Sequence, residues 1–447
     1  MDRRTLTKVA VVAAHIRKFS TITSGQQCCQ GIDAKGVASP CPPLWYDAAR
    51  SSPTRFSTGR GSSSAGGVPE PSTNIVRILI DYRPALKHRT GVGLWVTCLV
   101  EALARQDAVT RSDLTVFSSS WKDRLTTALP PGVRGVDGRV PVQCLNWLWH
   151  RHEWPPVELL AGGPFDVVHS PTPLLVPSRG AAHVVTIHDL DFLNHPERGA
   201  REIRRDYARL ARAHAHRADV VVTPSQYTAE RVVTAFDLAP DRIVVCPNGA
   251  PGWPARPATL APEHLLFVGT VSARKNVGRL LEAYARVRVT HPHAPPLVLA
   301  GKVSPQDAAI LEPLARAPLA GHVRHQGYVD NERLRGLYER AIALILPSLD
   351  EGFGVPALEA MEMGVPVLAA RRGALPEVVG DAGLLVDPLD VGAMATAIEQ
   401  LVTDDHLRRR LSTAGPVQAR RFSWEASAAR LREAYAMAVE HRLARTR

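Results

Sequence analysis

The chain has 447 residues, 45% of them hydrophobic, which is enough apolar material to bury more than one core and suggests two or three domains. Its formal charge of +11 admits a nucleic acid, a membrane surface or an anionic substrate as partner. Residues 1–74 hold nine Lys+Arg against four Asp+Glu, however, and neither Gly-aromatic RNA motifs nor Cys/His finger spacings accompany the mildly basic remainder, which argues against nucleic acid.

Residues 1–74 are expected to be an unfolded leader or an upstream extension. The apolar run at residues 9–16 follows Arg3, Arg4 and Lys8 but is short and lacks a small-residue cleavage site, and Gly, Ser and Pro dominate residues 51–72. No apolar stretch approaches the roughly 20 residues of a membrane span. The six cysteines, Cys28, Cys29, Cys41, Cys98, Cys144 and Cys246, contain no Cys-x-x-Cys pair, so reduced thiols in a cytosolic protein are expected rather than a disulfide framework or a metal site.

From residue 75 short apolar runs alternate with amphipathic helices, the pattern of a parallel sheet covered on both faces. A strand at 75–80 leads to a glycine loop at Gly91 and Gly93 and a helix at about 94–105. Further strands are expected at 114–117, 167–168, 183–187, 220–222 and 243–246, giving an N-terminal domain over 75–250. A proline-rich linker covers 251–262. A second strand-helix series fills 263–423, and an amphipathic helix, with Ala426, Ala429, Leu431, Tyr435 and Met437 as its apolar residues, closes the chain at 424–447. The expected fold class is therefore α/β, with two doubly wound, Rossmann-like domains facing a cleft. Such sheets bind ligands at the carboxyl ends of their strands.

The most informative segment is the junction between the strand pattern ending at Leu346 and the helix that Pro356 opens. Glu351 lies in the loop and Glu359 is expected in the first helical turn. Between them Gly352 and Gly354 let backbone amides approach a ligand, and the helix dipole favours an anion there. A ligand with a diphosphate in the middle and hydroxyls at both ends suits this layout, and a nucleotide sugar has that outline. A helix-terminal carboxylate stabilised by the dipole would account for Glu359 alone, but not for Glu351 and the glycines.

Arg274 and Lys275 follow a strand expected at 265–268, at its carboxyl end, where Arg offers a planar fork for phosphate and Lys a point charge. Spacing alone favours a solvated surface pair. His188 ends the strand at 183–187, a setting in which a lone His is more often structural. Asp189-Leu190-Asp191 matches a metal-binding Asp-x-Asp pattern, but three-residue matches arise by chance, and Arg274, Lys275 and a helix N-terminus already offer charge neutralisation without a metal. The helical stretch from 201 to 217, beginning at Arg201 and ending at Arg217, sets Ile203, Tyr207, Leu210 and His214 on one face and Arg205, Arg209, Arg212 and His216 on the other. That basic face is either solvated or meets a membrane surface. Asn146, Trp147, Trp149, His150 and Trp154 form an aromatic patch that suits either an acceptor site or a packed core.

The run EGFGVPALEAMEMGVPVLA from Glu351, continued by GALPEVVGDAGLLVDPLD from Gly373, resembles retaining glycosyltransferases of the GT-B fold, closest in pattern to glycosyltransferase family 4 and its Glu-x7-Glu signature. LLFVGTVSARKNVGRLLEAY from Leu265, VVTIHDL from Val184, VVVTPSQYTAERV from Val220 and VVCPNG from Val244 extend the resemblance over residues 75–447. Where the family often has paired glycines in its first phosphate loop, this chain has Thr90-Gly91-Val92-Gly93-Leu94.

The resemblance implies transfer of a hexosyl group, with retention, from a nucleoside diphosphate sugar to a carbohydrate or lipid-linked acceptor in polysaccharide or glycolipid synthesis. GDP-mannose is the first candidate donor, and no metal or other cofactor is implied. It assigns Arg274 and Lys275 to the diphosphate, Glu359 to the ribose and Glu351 to the transferred sugar, and puts His188 near the reacting carbon as a positioning group. Gly91, Gly93, Val329, Gly352, Phe353, Gly354 and Val355 complete the expected donor-binding set. The terminal helix is expected to cross back onto the N-terminal domain. The expected location is cytoplasmic, with peripheral contact at the inner face of a membrane through the 201–217 helix. Two rival readings stay open: a glycoside hydrolase using Glu351 and Glu359, and a nucleotide-sugar-binding protein without catalysis.

Overall fold

The computed structural model describes residues 76–87, 91–110, 112–125, 128–194 and 206–446. The leader reading of residues 1–74, and the readings for Ile75, Thr90, Arg201, Ile203 and Arg205, lie outside these residues.

The first lobe contains β1 (Arg77–Asp81), α1 (Arg83–Lys87), α2 (Val92–Thr110), β2 (Asp113–Ser119), β3 (Val133–Gly138), α3 (Val142–His152), α4 (Glu158–Ala161), β4 (Val167–Ser170), β5 (Ala182–Thr186), α5 (Asp191–Asn194), α6 (Tyr207–Arg217), β6 (Val220–Thr223), α7 (Gln226–Phe236) and β7 (Ile243–Val245). The second contains β8 (His264–Val268), α8 (Val277–Thr290), β9 (Leu297–Ala300), β10 (Val323–Gly327), α9 (Asn331–Glu339), β11 (Ala341–Leu346), α10 (Val355–Glu362), β12 (Val367–Ala370), α11 (Leu375–Val379), β13 (Leu384–Val386), α12 (Val391–Thr403) and α13 (Asp405–Ala419), and α14 (Trp424–Thr446) ends the chain.

The first lobe is built on a seven-stranded sheet, β3-β2-β1-β4-β5-β6-β7, and the second on a six-stranded sheet, β10-β9-β8-β11-β12-β13. Every pairing in both is parallel. Central strands such as β11, Ala-Ile-Ala-Leu-Ile-Leu, are buried along their whole length because helices cover both faces, which is why they appear in the sequence as unbroken apolar runs. The strand order reverses between β1 and β4 in one sheet and between β8 and β11 in the other. A ligand crevice is expected outside the carboxyl ends of those strand pairs.

Helix α14 belongs to the core of the first lobe. Its Ala428, Leu431, Ala434, Tyr435 and Ala438 pack with Ile78, Trp95, Val96 and Leu99. Tyr435 hydroxyl is hydrogen-bonded to His169 Nδ1 at 2.8 Å, and the other nitrogen of that ring is 2.8 Å from Thr186 Oγ1. The proline-rich segment between the lobes is also anchored: the Arg256 guanidinium donates to Ala341 carbonyl and Ser412 hydroxyl, and Ala250 N–H donates to Phe422 carbonyl. Among the described residues, no helix is long and apolar enough to cross a membrane.

Candidate active site

Loops at the reversal point of the six-stranded sheet are locked together by close backbone approach. Gly301, which follows β9, has φ 146°, and a Cβ there would fall 2.0 Å from Gly269 carbonyl oxygen. Just before α8, buried Asn276 donates through Nδ2 to Pro347 and Pro388 carbonyls at 3.1 and 2.7 Å, tying the loop after β8 to those after β11 and β13. Leu349 N–H donates to Arg274 carbonyl at 2.8 Å. Arg274, Lys275 and Glu351 are thereby held on one rigid rim.

On that rim the Arg274 guanidinium donates to Asp350 carbonyl at 2.9 Å, lies 3.8 Å from the Glu351 carboxylate and faces Asp191 of the other lobe at 3.6 Å. Lys275 Nζ and Ser348 hydroxyl both donate to Glu351 Oε1. Burial by itself would raise the Glu351 pKa, but the charges of Lys275 and Arg274 and these hydrogen bonds outweigh it, and the group titrates below the ordinary carboxylate value.

Helix α10 opens at Gly354, whose φ of 106° is a left-handed conformation that glycine adopts without a Cβ clash. The backbone N–H groups of Gly352, Phe353, Gly354 and Val355 have no hydrogen-bond partner among the described residues. Such a run of free amides at a helix mouth suits an anion or a hydroxyl oxygen. Glu359 requires a correction: it is the fifth residue of α10, in its second turn rather than its first, because the helix begins at Val355. There it is buried and accepts from Tyr338 hydroxyl at 2.8 Å. Burial pushes its pKa up to about 7, and the Tyr338 bond offsets this only in part. Val329 follows the carboxyl end of β10 and packs in the same apolar cluster as Leu334, Leu337 and Val355.

The first lobe contributes His188, just past β5. Its Nε2–H donates to Pro171 carbonyl at 3.2 Å, and burial lowers its pKa to about 4, so the imidazole is neutral near pH 7. The ring meets Trp95 edge-on, with centroids 5.0 Å apart, and the buried Trp95 Nε1–H has no partner among the described residues. His188 and the glutamate loop are in direct contact, since a Cβ on Gly352 would fall 2.0 Å from His188 carbonyl oxygen. Gly91 has φ 58° in the turn before α2, whereas Gly93, expected in the same loop, lies inside the first turn of that helix.

Asp191, read as part of an Asp-x-Asp, faces Arg274 instead, and burial raises the pKa of Asp189. The aromatic patch divides. Trp149 is buried beneath the Arg83 guanidinium, 4.5 Å from its ring centre, and Asn146 accepts from Arg83, while Trp147 and Trp154 are exposed. On α6, His214 is buried and Arg209, Arg212 and His216 face outward, as the helical pattern predicts. The sequence reading missed Tyr338, Asn276, Asp350 and Glu377, and the face of α7 that touches the glutamate loop. Only Ser225, a helix-capping residue type ahead of an amphipathic run, offered a signal.

Residues 256–418 match the family described as Glycosyl transferases group 1, and residues 89–251 match Glycosyltransferase Family 4. O-antigen chain mannosyltransferase B of Escherichia coli is 34% identical, over 58% of this chain and 71% of its own length. The chain belongs to the group 1, family 4 glycosyltransferases. A second relative of this glycosyltransferase, MMP alpha-(1->4)-mannosyltransferase of Mycolicibacterium hassiacum, is 30% identical over 63% of this chain and 73% of its own. Sucrose-phosphate synthase from Thermosynechococcus elongatus superposes with a TM-score of 0.62, covering 81% of this chain and 98% of its own at 21% identity. The two parallel-sheet lobes of this glycosyltransferase are those of the GT-B fold.

Proposed function

We propose that this glycosyltransferase moves a mannosyl group from GDP-mannose to a hydroxyl of a carbohydrate or lipid-linked acceptor, with retention at the anomeric carbon and without a metal. One observation carries the reading: at the reversal point of the second sheet Arg274 and Lys275 bond to the loop of Asp350 and Glu351, and the next four amides of that loop, ahead of Glu359 in the chain, have no partner among the described residues. That layout suits a diphosphate flanked by two sets of hydroxyls. The two mannosyltransferase relatives support mannose as the sugar.

In this reading Arg274 and Lys275 hold the diphosphate together with the Gly352–Val355 backbone, and Glu359 accepts from the ribose. Glu351, kept ionised by Lys275, accepts from hydroxyls of the transferred sugar. Gly91, Gly93 and Val329 border the donor. The anomeric carbon–oxygen bond to the diphosphate breaks as the acceptor oxygen bonds to the same face. The leaving diphosphate oxygen takes the acceptor proton. Catalysis is then positioning plus stabilisation of the leaving group's charge, and neutral His188 serves as a polar positioning group beside the reacting carbon. The outward Arg209, Arg212 and His216 of α6 supply a basic face for a membrane that carries a lipid-linked acceptor.

Titration of the protein with GDP-mannose, UDP-glucose, GDP and UDP, with and without a chelator, tests the donor and the metal independence together; NMR of the product tests the anomeric outcome. At pH 8, above the Glu359 pKa of about 7, Glu359→Gln should weaken GDP and GDP-mannose alike, by roughly tenfold for about 1.4 kcal/mol of lost charged hydrogen bonding. Glu351→Gln should lower turnover without lowering GDP affinity, since it frees Lys275. Equal losses of GDP affinity in both variants would sink the separate roles. Loss of transfer on chelation, restored by manganese, would refute metal independence. Nucleotide-independent cleavage of a simple glycoside would make the pair a hydrolase site, and donor binding with no turnover on a broad acceptor panel would leave a binding protein.

A further inference from the structure

The loop that carries Glu351 belongs to the second lobe but is gripped by the first. Helix α7 is capped by Ser225, whose Oγ accepts Thr228 N–H at 3.1 Å. The hydroxyls of both residues also reach Gly352 carbonyl oxygen, at 2.7 Å from Ser225 and 3.1 Å from Thr228. Gly352, the residue they reach, lies against the His188 carbonyl oxygen.

Two further contacts surround the first. Asp350 accepts from Tyr227 hydroxyl at 3.0 Å and from Arg231 at 2.5 Å. Glu377 of α11 accepts from Gln226 and Tyr227 N–H at 3.0 and 3.3 Å, which puts a carboxylate on the positive end of the α7 dipole. Helix α11 is tied in turn to the glutamate loop. Ala374 N–H donates to Glu351 carbonyl at 3.0 Å, and a Cβ on Gly373 would fall 2.8 Å from Glu351 nitrogen.

A trans peptide is planar, with its C=O and N–H on opposite edges. Because Gly352 carbonyl is turned toward α7, the Phe353 N–H of the same peptide points away from α7, and it is one of the four unpaired amides. The peptide is flanked by Phe353 on one side and on the other by Gly352, whose backbone has more accessible conformations than any residue with a Cβ. Hydrogen bonds from the buried Ser225 and Thr228 hydroxyls to its carbonyl therefore select one orientation of a unit that Gly352 leaves freer than a residue with a Cβ would. We propose that Ser225 and Thr228 are positioning residues for the donor: from the opposite lobe they orient the Gly352–Phe353 peptide so that its amide is presented to the donor. The inference rests on the donor reading given above, and it makes part of the donor affinity a property of the first lobe.

Thr228→Val keeps the side-chain shape and the N–H that Ser225 accepts, but removes the hydroxyl. Thr228→Ser restores it. Calorimetric titration of the full chain with GDP, UDP and the parent nucleosides, beside thermal melts, reads the effect. Thr228→Val should weaken the diphosphate that the wild type binds by about fivefold, the loss of about one hydrogen bond. Thr228→Ser should bind within about twofold of wild type, and the nucleoside affinity should stay the same in all three, a pattern that general destabilisation would not give. Thr228→Ala replaces the valine variant if the latter does not fold. Unchanged diphosphate binding in Thr228→Val, equal weakening in Thr228→Ser, or parallel loss of nucleoside affinity would overturn the proposal. A wild type that binds neither GDP nor UDP would overturn the donor reading itself, and the proposal with it.

Discussion

Glu351 and Glu359 are almost equally buried, with 6% and 7% of their surface exposed, yet their protonation is pushed in opposite directions. Two cations face the first, and among the described residues a phenol hydroxyl alone donates to the second. A carboxyl raised in the folded state holds its proton longer than in the unfolded chain. Stability from Glu359 is therefore fully present below the unfolded value of 4.5 and is lost as pH rises through about 7. The loss reaches about 3 kcal/mol at most. Glu359→Gln, which keeps an acceptor for Tyr338, should melt progressively higher than wild type as the buffer moves from pH 5 to pH 8. A melting difference that does not change with pH would mean that Glu359 ionises like an exposed carboxyl.

At the scale of elements, the site depends on backbone segments that approach closer than a Cβ allows. Gly352→Ala drives a methyl into His188 carbonyl, a backbone atom that cannot rotate aside, so the two lobes must separate locally. The expected result is a fall of at least tenfold in turnover, because near-attack geometry fails at displacements of about 1 Å. Gly301→Ala meets Gly269 carbonyl in the same way and should lower the melting temperature. Either variant behaving as wild type would show that these loops yield more than the packing implies. The sequence reading found the strands with continuous apolar runs but missed β3, whose Val-Arg-Gly-Val-Asp-Gly holds to one edge of its sheet without such a run. It also opened α2 at Leu94, which put Gly93 in a loop, because a glycine at a helix start carries no local signal that distinguishes cap from first turn.

At the scale of the whole molecule, the chain leaves its first lobe at β7 and returns to it only with α14. Leu431 is fully buried in that lobe's core, so Leu431→Ala should cost about 2–5 kcal/mol and destabilise the first lobe despite lying 186 residues beyond β7's last residue, Val245. Circular dichroism and hydrogen exchange mapped to the first lobe would check it; protection lost only in the second lobe would contradict it. Acid should act on the same lobe. His150, His169, His183, His188 and His214 all have pKa values lowered to between about 3 and about 4, with burial the main cause. Because these groups take up protons more readily unfolded, their stabilising effect is present above 6.5 and is lost as pH falls toward 4. For the nearly inaccessible His169 and His214 the loss is about 2 kcal/mol each at pH 5, which together exceeds the opposite contribution of Glu359 over the same range. A lower denaturant midpoint at pH 5 than at pH 7 is expected, and an unchanged one would show these histidines to be solvated.

The sequence alone determined the alternation of apolar runs and amphipathic helices, hence two doubly wound lobes, and it located Arg274, Lys275, Glu351 and His188 at the carboxyl ends of strands. Those features are local: a strand buried on both faces must be apolar throughout, and a loop after it must lie at its end. Tertiary structure decided which strand neighbours which, and therefore that the loops after β8 and β11 meet at one reversal point. It decided that Lys275 pairs with Glu351, that Glu359 pairs with Tyr338, and that α7 grips the glutamate loop from the other lobe. None of these contacts joins residues within three turns of one helix, so no periodicity in the chain records them: packing within the second lobe supplies the first two partners, and the docking of one lobe on the other supplies the third.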